Sequence, residues 1–132
     1  MSDFVFTVGA ELPAISQPSN LVTSVMYAGA STDYNPLHYD QAFAGQVSPT
    51  GAPIAHGMYS MGLVSRMLTA AAGGPERVAD LQVRFSKPWP LGTTATFSGT
   101  VTAIEDGLAT IEVQGTGENG ERILSGVGHV RV

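Results

Sequence analysis

Residues 56–74, HGMYSMGLVSRMLTAAAGG, are apolar on nearly every side, with Ser60 and Ser65 among their few polar side chains. A helix with this pattern is normally buried on most of its faces, because it has no continuous polar face to present to water. The glycine pair at 73–74 is typical of a helix end. The stretch therefore predicts a buried helix over residues 58–72, around which the rest of the chain is arranged.

The hydrophobic pattern changes to a period of two after this helix. Apolar residues alternate with polar ones at Leu81, Val83 and Phe85, which is typical of a half-buried strand. Three longer stretches alternate in the same way: TATFSGTVTAI (94–104), LATIEVQGTG (108–117) and RILSGVGHVRV (122–132). Asp-Gly and Asn-Gly pairs separate them, and such pairs suit tight hairpin turns. We therefore expect three long antiparallel strands joined by hairpins.

The first half of the chain is predicted to be mostly helical. Ser19 can cap a helix from Asn20 to about Ala30, and a short strand is expected around Phe4–Val8. Residues 44–55, AGQVSPTGAPIA, have the composition of a loop. These elements predict one α+β domain over residues 1–132, with a curved antiparallel sheet wrapped around the buried helix. An exposed edge of such a sheet favours pairing with a second subunit, so a dimer is expected.

Composition and charge exclude several classes of protein. The 132 residues are 43% hydrophobic and 13% charged, which is too apolar for a disordered chain. The net charge is −5 and the six basic residues do not cluster, so we predict no nucleic-acid partner. There are no cysteines, and therefore no disulfide, thiolate metal site or thiol nucleophile. No basic, apolar leader and no run long enough to span a membrane is evident, so a cytoplasmic protein with no membrane association is expected.

Two aspartates, an asparagine and a histidine lie together around a proline in STDYNPLHYD, residues 31–40. Pro36 favours an extended Asn35 and the start of a new helical turn. Asp33 would then lie in a turn and His38 in the following helical turn, so that both can face one cavity while Asn35 orients a side chain or a water. A carboxylate beside an imidazole can share acid and base roles. The alternative is that Asp33 only caps a helix and His38 lies on the surface.

A second cluster, IAHGM at 54–58, stands where a loop enters the buried helix. Backbone N–H groups at a helix start have no helical partner, and Gly57 lets a ligand approach them closely. These donors and the helix dipole predict an oxyanion hole. The alternative is that Gly57 serves tight packing and His56 is a hydrogen-bonded core histidine. A metal site built from Asp33, His38 and His56 is a further alternative, but the histidines lack a short helical spacing, so no metal is expected.

Together the two clusters, DYNPLHYD and APIAHGMYSMGLVSRML, closely resemble the hydratase motif of the MaoC-like (R)-specific enoyl-CoA hydratases and 3-hydroxyacyl-thioester dehydratases. The resemblance continues through LQVRFSKPWPLGTTATFSGTVTAIEDG and covers nearly the whole chain. It implies the hot-dog fold, a long helix wrapped by an antiparallel sheet. It also implies a role in fatty-acid and lipid metabolism.

The resemblance assigns a role to each residue of the site. Asp33 and His38 would be the catalytic pair, with Asn35 and His56 supporting them. The Gly57 N–H would hold the thioester oxygen, and Ser65 matches a serine that lies close to the pair in some members. The reaction would be hydration of a trans-2-enoyl thioester, or the reverse dehydration.

The family resemblance also implies the partners of the chain. The substrate would be a thioester of coenzyme A or of a carrier protein, and no metal or redox cofactor would be required. The chain would form a homodimer or a heterodimer with a related hot-dog subunit. Two other functions are alternatives. One is an acyl-thioester-binding subunit of a heteromeric dehydratase, which needs a partner chain for activity. The other is a thioesterase, the other common activity of this fold. The complete Asp-x-Asn-Pro-x-His pattern disfavours both.

Overall fold

The buried helix at the centre of the fold is α3, Gly57–Ala72, in the computed structural model, which describes residues 2–132. Its buried face includes Leu63, Val64, Met67 and Leu68. The helix ends at Gly73, whose φ of 84° lies in the left-handed region that glycine adopts without strain. The predicted central helix is confirmed.

The strands of the described chain form one antiparallel sheet with the order β1-β3-β4-β5-β2. The strands are β1 (Ile15–Pro18), β2 (Val78–Phe85), β3 (Thr94–Glu105), β4 (Leu108–Thr116) and β5 (Arg122–Arg131). A two-residue turn joins β3 to β4, with φ of 51° at Asp106 and 75° at Gly107. Positive φ at both turn residues matches the right-handed twist of a hairpin. The three long strands and their hairpins are confirmed.

The hydrophobic core lies between α3 and one face of the sheet. Met67 and Leu68 of α3 pack in one cluster with Phe97, Ile111 and Leu124 of the sheet. Each such side chain stabilises the folded state by about 1.5–3 kcal/mol when it is fully buried. Gly128 of β5 allows the close approach of the helix, because a Cβ there would lie 2.7 Å from Cδ1 of Leu68. The predicted α+β hot-dog architecture is confirmed.

The N-terminal segment differs from the prediction. Residues 4–8 are not a strand, although the side chains of Phe4 and Phe6 contact each other edge-on and pack against the core. The edge of β3 is paired instead by β1, which the sequence pattern did not predict. The alternation of apolar residues over 4–8 therefore reflects the burial of Phe4 and Phe6, and it is not accompanied by strand pairing.

Helix α1 spans Leu21–Ser31, and its N-cap is Asn20, whose side-chain oxygen accepts a hydrogen bond from the N–H of Thr23. The prediction that Ser19 caps this helix is wrong. The hydroxyl of Ser19 lies 3.0 Å from the carbonyl oxygens of Pro90 and of Thr93 and ties the start of the helix to the loop before β3. The large apolar residues Leu21, Val22, Val25 and Met26 of α1 are exposed, whereas Ala28 is buried.

Helix α2 spans Gln41–Val47 and begins at Asp40, whose carboxylate accepts hydrogen bonds from the N–H groups of Ala42 and Phe43. The prediction of a loop over 44–55 is therefore wrong for residues 44–47, because this cap starts a helix that extends into the predicted loop. Residues 48–55 are a loop, as expected. No helix within residues 2–132 is long and apolar enough to cross a membrane.

Candidate active site

Three segments meet at the N-terminus of α3. They are the turn after α1, which carries Asp33, the 3-10 turn Pro36–His38, and residues 53–57. The N–H of Ile54 donates to the carbonyl of Leu37 at 3.2 Å, and the N–H of Ala55 donates to the carbonyl of Trp89 at 2.8 Å. These two bonds fix the entry of the chain into α3 between the 3-10 turn and the loop after β2. The two clusters of polar residues found in the sequence therefore lie side by side.

His38 is held at its backbone and at its ring. The hydroxyl of Ser24, on α1, donates to the carbonyl of His38 at 2.6 Å. The ring atom Nδ1 lies 2.8 Å from the carbonyl oxygen of Ile54. Because a carbonyl oxygen only accepts hydrogen bonds, Nδ1 carries the proton of this bond. Every proton that His38 gains or loses is therefore exchanged at Nε2.

The Nε2 atom of His38 faces Asp33, with 3.8 Å between Nε2 and Oδ2. The side chain of His38 is 11% exposed, whereas the side chain of Asp33 is 52% exposed. One oxygen atom of a water or a hydroxyl group can lie about 2.8 Å from both atoms at once. The pair can therefore exchange protons with a single oxygen between them, and the carboxylate is open to the solvent side of the site.

The backbone on both sides of Asp33 fixes its position. Thr32, the residue before it, ends α1 in the left-handed conformation with φ of 60°. That conformation is unfavourable for a β-branched residue and is often found next to functional groups. Oδ1 of Asp33 accepts a hydrogen bond from the N–H of Asn35 at 3.3 Å. The alternative in which Asp33 caps a helix does not hold, because Asn35 caps the 3-10 turn and Asp40 caps α2.

Asn35 shapes the turn that carries His38. Its side-chain oxygen accepts a hydrogen bond from the N–H of Leu37 at 3.0 Å, and its carbonyl accepts one from the N–H of His38 at 3.1 Å. The amide does not extend to the ring of His38. Asn35 therefore acts on the geometry of the pair through the backbone, rather than by orienting a side chain directly.

His56 is the buried member of the cluster, 2% exposed, and its ring stacks on that of His38 with 3.8 Å between the ring centroids. Its Nε2 lies 3.1 Å from the backbone carbonyl oxygen of Asp33, so Nε2–H is the donor. Burial lowers the pKa of His56 below its usual 6.5, since desolvation outweighs the opposing effect of the bond to Asp33, and the nearby His38 lowers the pKa further. His56 is thus a hydrogen-bonded core histidine that supports both Asp33 and His38.

Gly57 is the first residue of α3, and no side chain of the described residues caps the helix at His56. The N–H groups of Gly57 and Met58 therefore have no intrahelical partner, whereas that of Tyr59 already donates to the carbonyl of His56 at 3.1 Å. Gly57 and His38 line the same cavity, of about 400 Å³, whose walls are mainly apolar and include Ile54, Phe85 and Trp89. A Cβ on Gly57 would lie 3.1 Å from the ring of Phe85, so glycine also serves close packing here.

Of the predicted site residues, His38 and Gly57 line this cavity, Asp33, Asn35 and His56 lie beside it around His38, and Ser65 lies away from it. Ser65 lies two turns along α3 from Gly57, and it is exposed. The serine that does line the cavity is Ser60, three residues after Gly57. The sequence reasoning missed Ser60. Its signal was a small polar residue on the buried face of an otherwise apolar helix, one turn from a predicted oxyanion donor.

The ligand atoms of Asp33, His38 and His56 lie within 4.8 Å of one another. The two rings are nearly parallel, with 23° between their planes. Lone pairs in the planes of two stacked rings do not converge on one ion, and Nε2 of His56 is already bonded to a backbone carbonyl. This orientation favours proton transfer over metal binding at the cluster.

Comparison with known proteins places the chain in a family. The family described as "MaoC like domain" matches residues 6–122. The chain is 33% identical over 121 residues to the 3-oxo-4,17-pregnadiene-20-carboxyl-CoA hydratase beta subunit of Mycobacterium tuberculosis, and the match covers 91% of this chain and 92% of the relative.

Two solved structures have the same fold over almost the full length. The (R)-hydratase from A. caviae involved in PHA biosynthesis has a TM-score of 0.88 at 27% identity, covering 96% of this chain and 97% of that one. A chain of the ChsH1-ChsH2 complex from Mycobacterium tuberculosis has a TM-score of 0.85 at 29% identity, covering 97% and 99%.

The chain belongs to the MaoC-like dehydratase family of hot-dog hydro-lyases. The family resemblance that the sequence motifs predicted is confirmed, as is the prediction of an enzyme of the enoyl-CoA hydratase and 3-hydroxyacyl-thioester dehydratase class.

Proposed function

We propose that the chain hydrates trans-2-enoyl thioesters to (R)-3-hydroxyacyl thioesters, and catalyses the reverse dehydration, with Asp33 and His38 as its acid–base pair. The observation that carries this proposal is the placement of Nε2 of His38. That atom lies 3.8 Å from Oδ2 of Asp33, in a ring that lines the cavity at the start of α3. The two groups that must move protons therefore lie next to the helix N-terminus that can hold negative charge.

The substrate is held by its thioester group and by its acyl chain. The N–H of Gly57 binds the thioester oxygen, where negative charge develops as a double bond rearranges next to the carbonyl. The acyl chain occupies the cavity, whose mainly apolar walls offer few partners to the amides of a pantetheine arm. Polarisation of the carbonyl makes the β-carbon accept attack by water.

The protons are divided between the two side chains. In the hydration direction Asp33 removes a proton from the water while the water oxygen bonds to the β-carbon. The electron pair of the double bond moves toward the thioester oxygen. His38, protonated at Nε2, then delivers its proton to the α-carbon. The pair returns to its starting state when Asp33 passes its proton to Nε2, across the 3.8 Å gap or through one water. No resident metal or redox cofactor takes part in these steps.

We also propose that residues 1–132 work as one domain that pairs with a second hot-dog subunit, either a second copy or a related chain. Strand β2 forms hydrogen bonds with β5 on one side only, so it presents a free edge of eight residues within the described chain. One relative is named as a beta subunit, and one structural neighbour is part of a complex. The alternative function, an acyl-binding subunit that depends on a partner for activity, is supported by these same two relatives.

The experiment that tests the proposal is incubation of the purified protein with crotonyl-CoA. We expect loss of the enoyl-thioester absorbance and formation of (R)-3-hydroxybutyryl-CoA, identified by chiral chromatography, without release of free thiol. Thiol release without hydration would identify a thioesterase instead. Hydration that appears only after addition of a second hot-dog subunit would support the partner-dependent alternative.

A further inference from the structure

Ser60 is a buried residue whose hydroxyl group has no structural role in the fold. The residue is 5% exposed and lies on α3, and it lines the same cavity as His38 and Gly57. Within residues 2–132 its hydroxyl oxygen has no hydrogen-bond partner. That part of the chain also contains no enclosed side-chain oxygen or nitrogen left unpaired, so the hydroxyl must open into the cavity. A buried hydroxyl costs free energy unless a ligand or a water completes its hydrogen bond.

The usual partner of a serine in a helix is the carbonyl oxygen four residues earlier. Here that carbonyl belongs to His56, and it instead accepts the backbone N–H groups of Tyr59 at 3.1 Å and of Ser60 at 3.4 Å. The hydroxyl of Ser60 is therefore free to rotate toward the cavity.

The direction of the side chain follows from helix geometry. Residues three apart lie on one face of a helix, and each side chain leans toward the helix N-terminus. The hydroxyl of Ser60 thus extends over the turn that begins at Gly57, which carries the free N–H groups. Another polar side chain at the cavity, Lys87, is 58% exposed and lies 3.9 Å from Glu121, so it belongs to the rim.

We propose that the hydroxyl of Ser60 is a second hydrogen-bond donor to the thioester oxygen, acting beside the N–H of Gly57. This inference rests on the proposed hydratase function and adds a catalytic residue to it. Charge on the thioester oxygen is greater in the transition state than in the bound substrate. A donor at this position therefore raises kcat more than it lowers KM. Loss of a single donor from an oxyanion hole typically lowers kcat by about 10²–10³-fold.

The first test is the rate of crotonyl-CoA hydration by the Ser60→Ala variant. We expect a fall in kcat of at least about 10-fold, toward the range seen for other oxyanion donors, with KM changed much less. Ser60→Cys, which keeps a weaker donor, should lie between the two. The matched control is Ser98→Ala, a half-buried serine of β3 outside this cavity, which should retain the wild-type rate.

The second test reports on the carbonyl directly. Butyryl-CoA, isotope-labelled at its carbonyl carbon, has no double bond to hydrate, and its C=O stretch can be measured by infrared difference spectroscopy when it is bound. We expect the stretch to move to lower frequency in the wild type and to move less in Ser60→Ala.

An unchanged kcat together with an unchanged carbonyl shift in Ser60→Ala would overturn the role of Ser60 and leave the hydratase function standing. Failure of the wild type to hydrate any enoyl thioester would overturn the proposed function instead. The carbonyl shift would then still report whether Ser60 contacts the bound thioester.

Discussion

The ring of His38 is fixed in one orientation by its neighbours. Its Nδ1 is bonded to a backbone carbonyl, and its ring lies flat against His56, which in turn is bonded to the carbonyl of Asp33. His38 is thus joined to His56 by ring stacking, and His56 is joined to Asp33 by a hydrogen bond to its backbone carbonyl. These contacts leave Nε2 of His38 and the carboxylate of Asp33 available for the proposed proton transfers and fix the distance between them.

The buried state of His56 predicts a pH dependence of stability. Because its pKa in the folded protein is below 6.5, the unfolded chain takes up a proton at a higher pH than the folded chain does. The stability that neutral His56 contributes is therefore complete above about pH 6.5 and is lost as the pH falls through the interval between 6.5 and the folded pKa.

Urea denaturation of the wild type, measured in steps from about pH 7.5 to about pH 5.5, checks this expectation. We expect the free energy of unfolding to decrease toward low pH. It should decrease less steeply in His56→Gln, whose amide can still donate to the carbonyl of Asp33. Equal slopes for the two proteins would contradict the account.

The candidate site residues differed in how clearly the sequence indicated them. Asp33, His38 and Gly57 stand in short motifs whose local geometry and spacing predict that they meet, and the structure brings them together. Ser60 was missed, because helical position alone does not reveal which buried hydroxyl lacks a partner. Ser65 was selected by resemblance, but it faces outward in this chain.

The elements before α3 act mainly as supports for the pair. The 3-10 turn Pro36–His38 is short, and short helices depend strongly on their caps. Asn35 supplies this cap, and Ser24 of α1 ties the far end of the turn to the neighbouring helix. The precision of the site therefore depends on side chains that do not touch the cavity.

Replacement of Asn35 by alanine should loosen this turn. We expect a loss of about 1 kcal/mol of stability, within the range of 0.5–2 kcal/mol for lost caps. We also expect a fall in kcat, since the position of His38 follows the turn. Asn35→Ser keeps an acceptor at the cap position and should recover most of both quantities. Thermal denaturation and hydration rates measure them, and an Asn35→Ala variant with wild-type values would show that the cap is dispensable.

The errors in the predicted elements have tertiary causes. Ser19 and Asn20 are adjacent residues with equal capping ability, and the choice between them was made by bonds from Ser19 to a distant loop. Residues 4–8 alternate like a strand, but the edge of β3 is bonded by residues 9–12 and by Ile15–Pro18. The long strands and α3 were predicted correctly because their patterns are long and their turns carry Asp-Gly, Asn-Gly or Gly-Gly signals.

At the scale of the whole molecule, the fold leaves two surfaces that favour a partner. One is the free edge of β2, and the other is the row of exposed apolar residues on α1. Exposed strand edges are normally covered or blunted in stable proteins. The cavity with its polar pair lies within a single chain, so a partner would complete the surroundings of the site rather than its acid and base.

The oligomeric state can be measured by gel filtration with light scattering. We expect a mass of twice the 13.7 kDa of one chain, or a stable complex with a related subunit. The hydration rate per chain should fall if the complex dissociates on dilution. A monomer of 13.7 kDa with full activity would contradict the proposed pairing.

The most direct test of the central claim compares two Asp/His pairs of this chain. Asp33 and His38 form one pair, and Asp80 and His129 form another at 2.7 Å, which lies outside the cavity. The measurement is kcat for crotonyl-CoA hydration by Asp33→Asn, His38→Gln, Asp80→Asn and His129→Gln. We predict a loss of about 10²–10⁴-fold in each of the first two and rates near the wild type in the last two. Near-wild-type rates in Asp33→Asn or in His38→Gln would contradict the assignment of this pair.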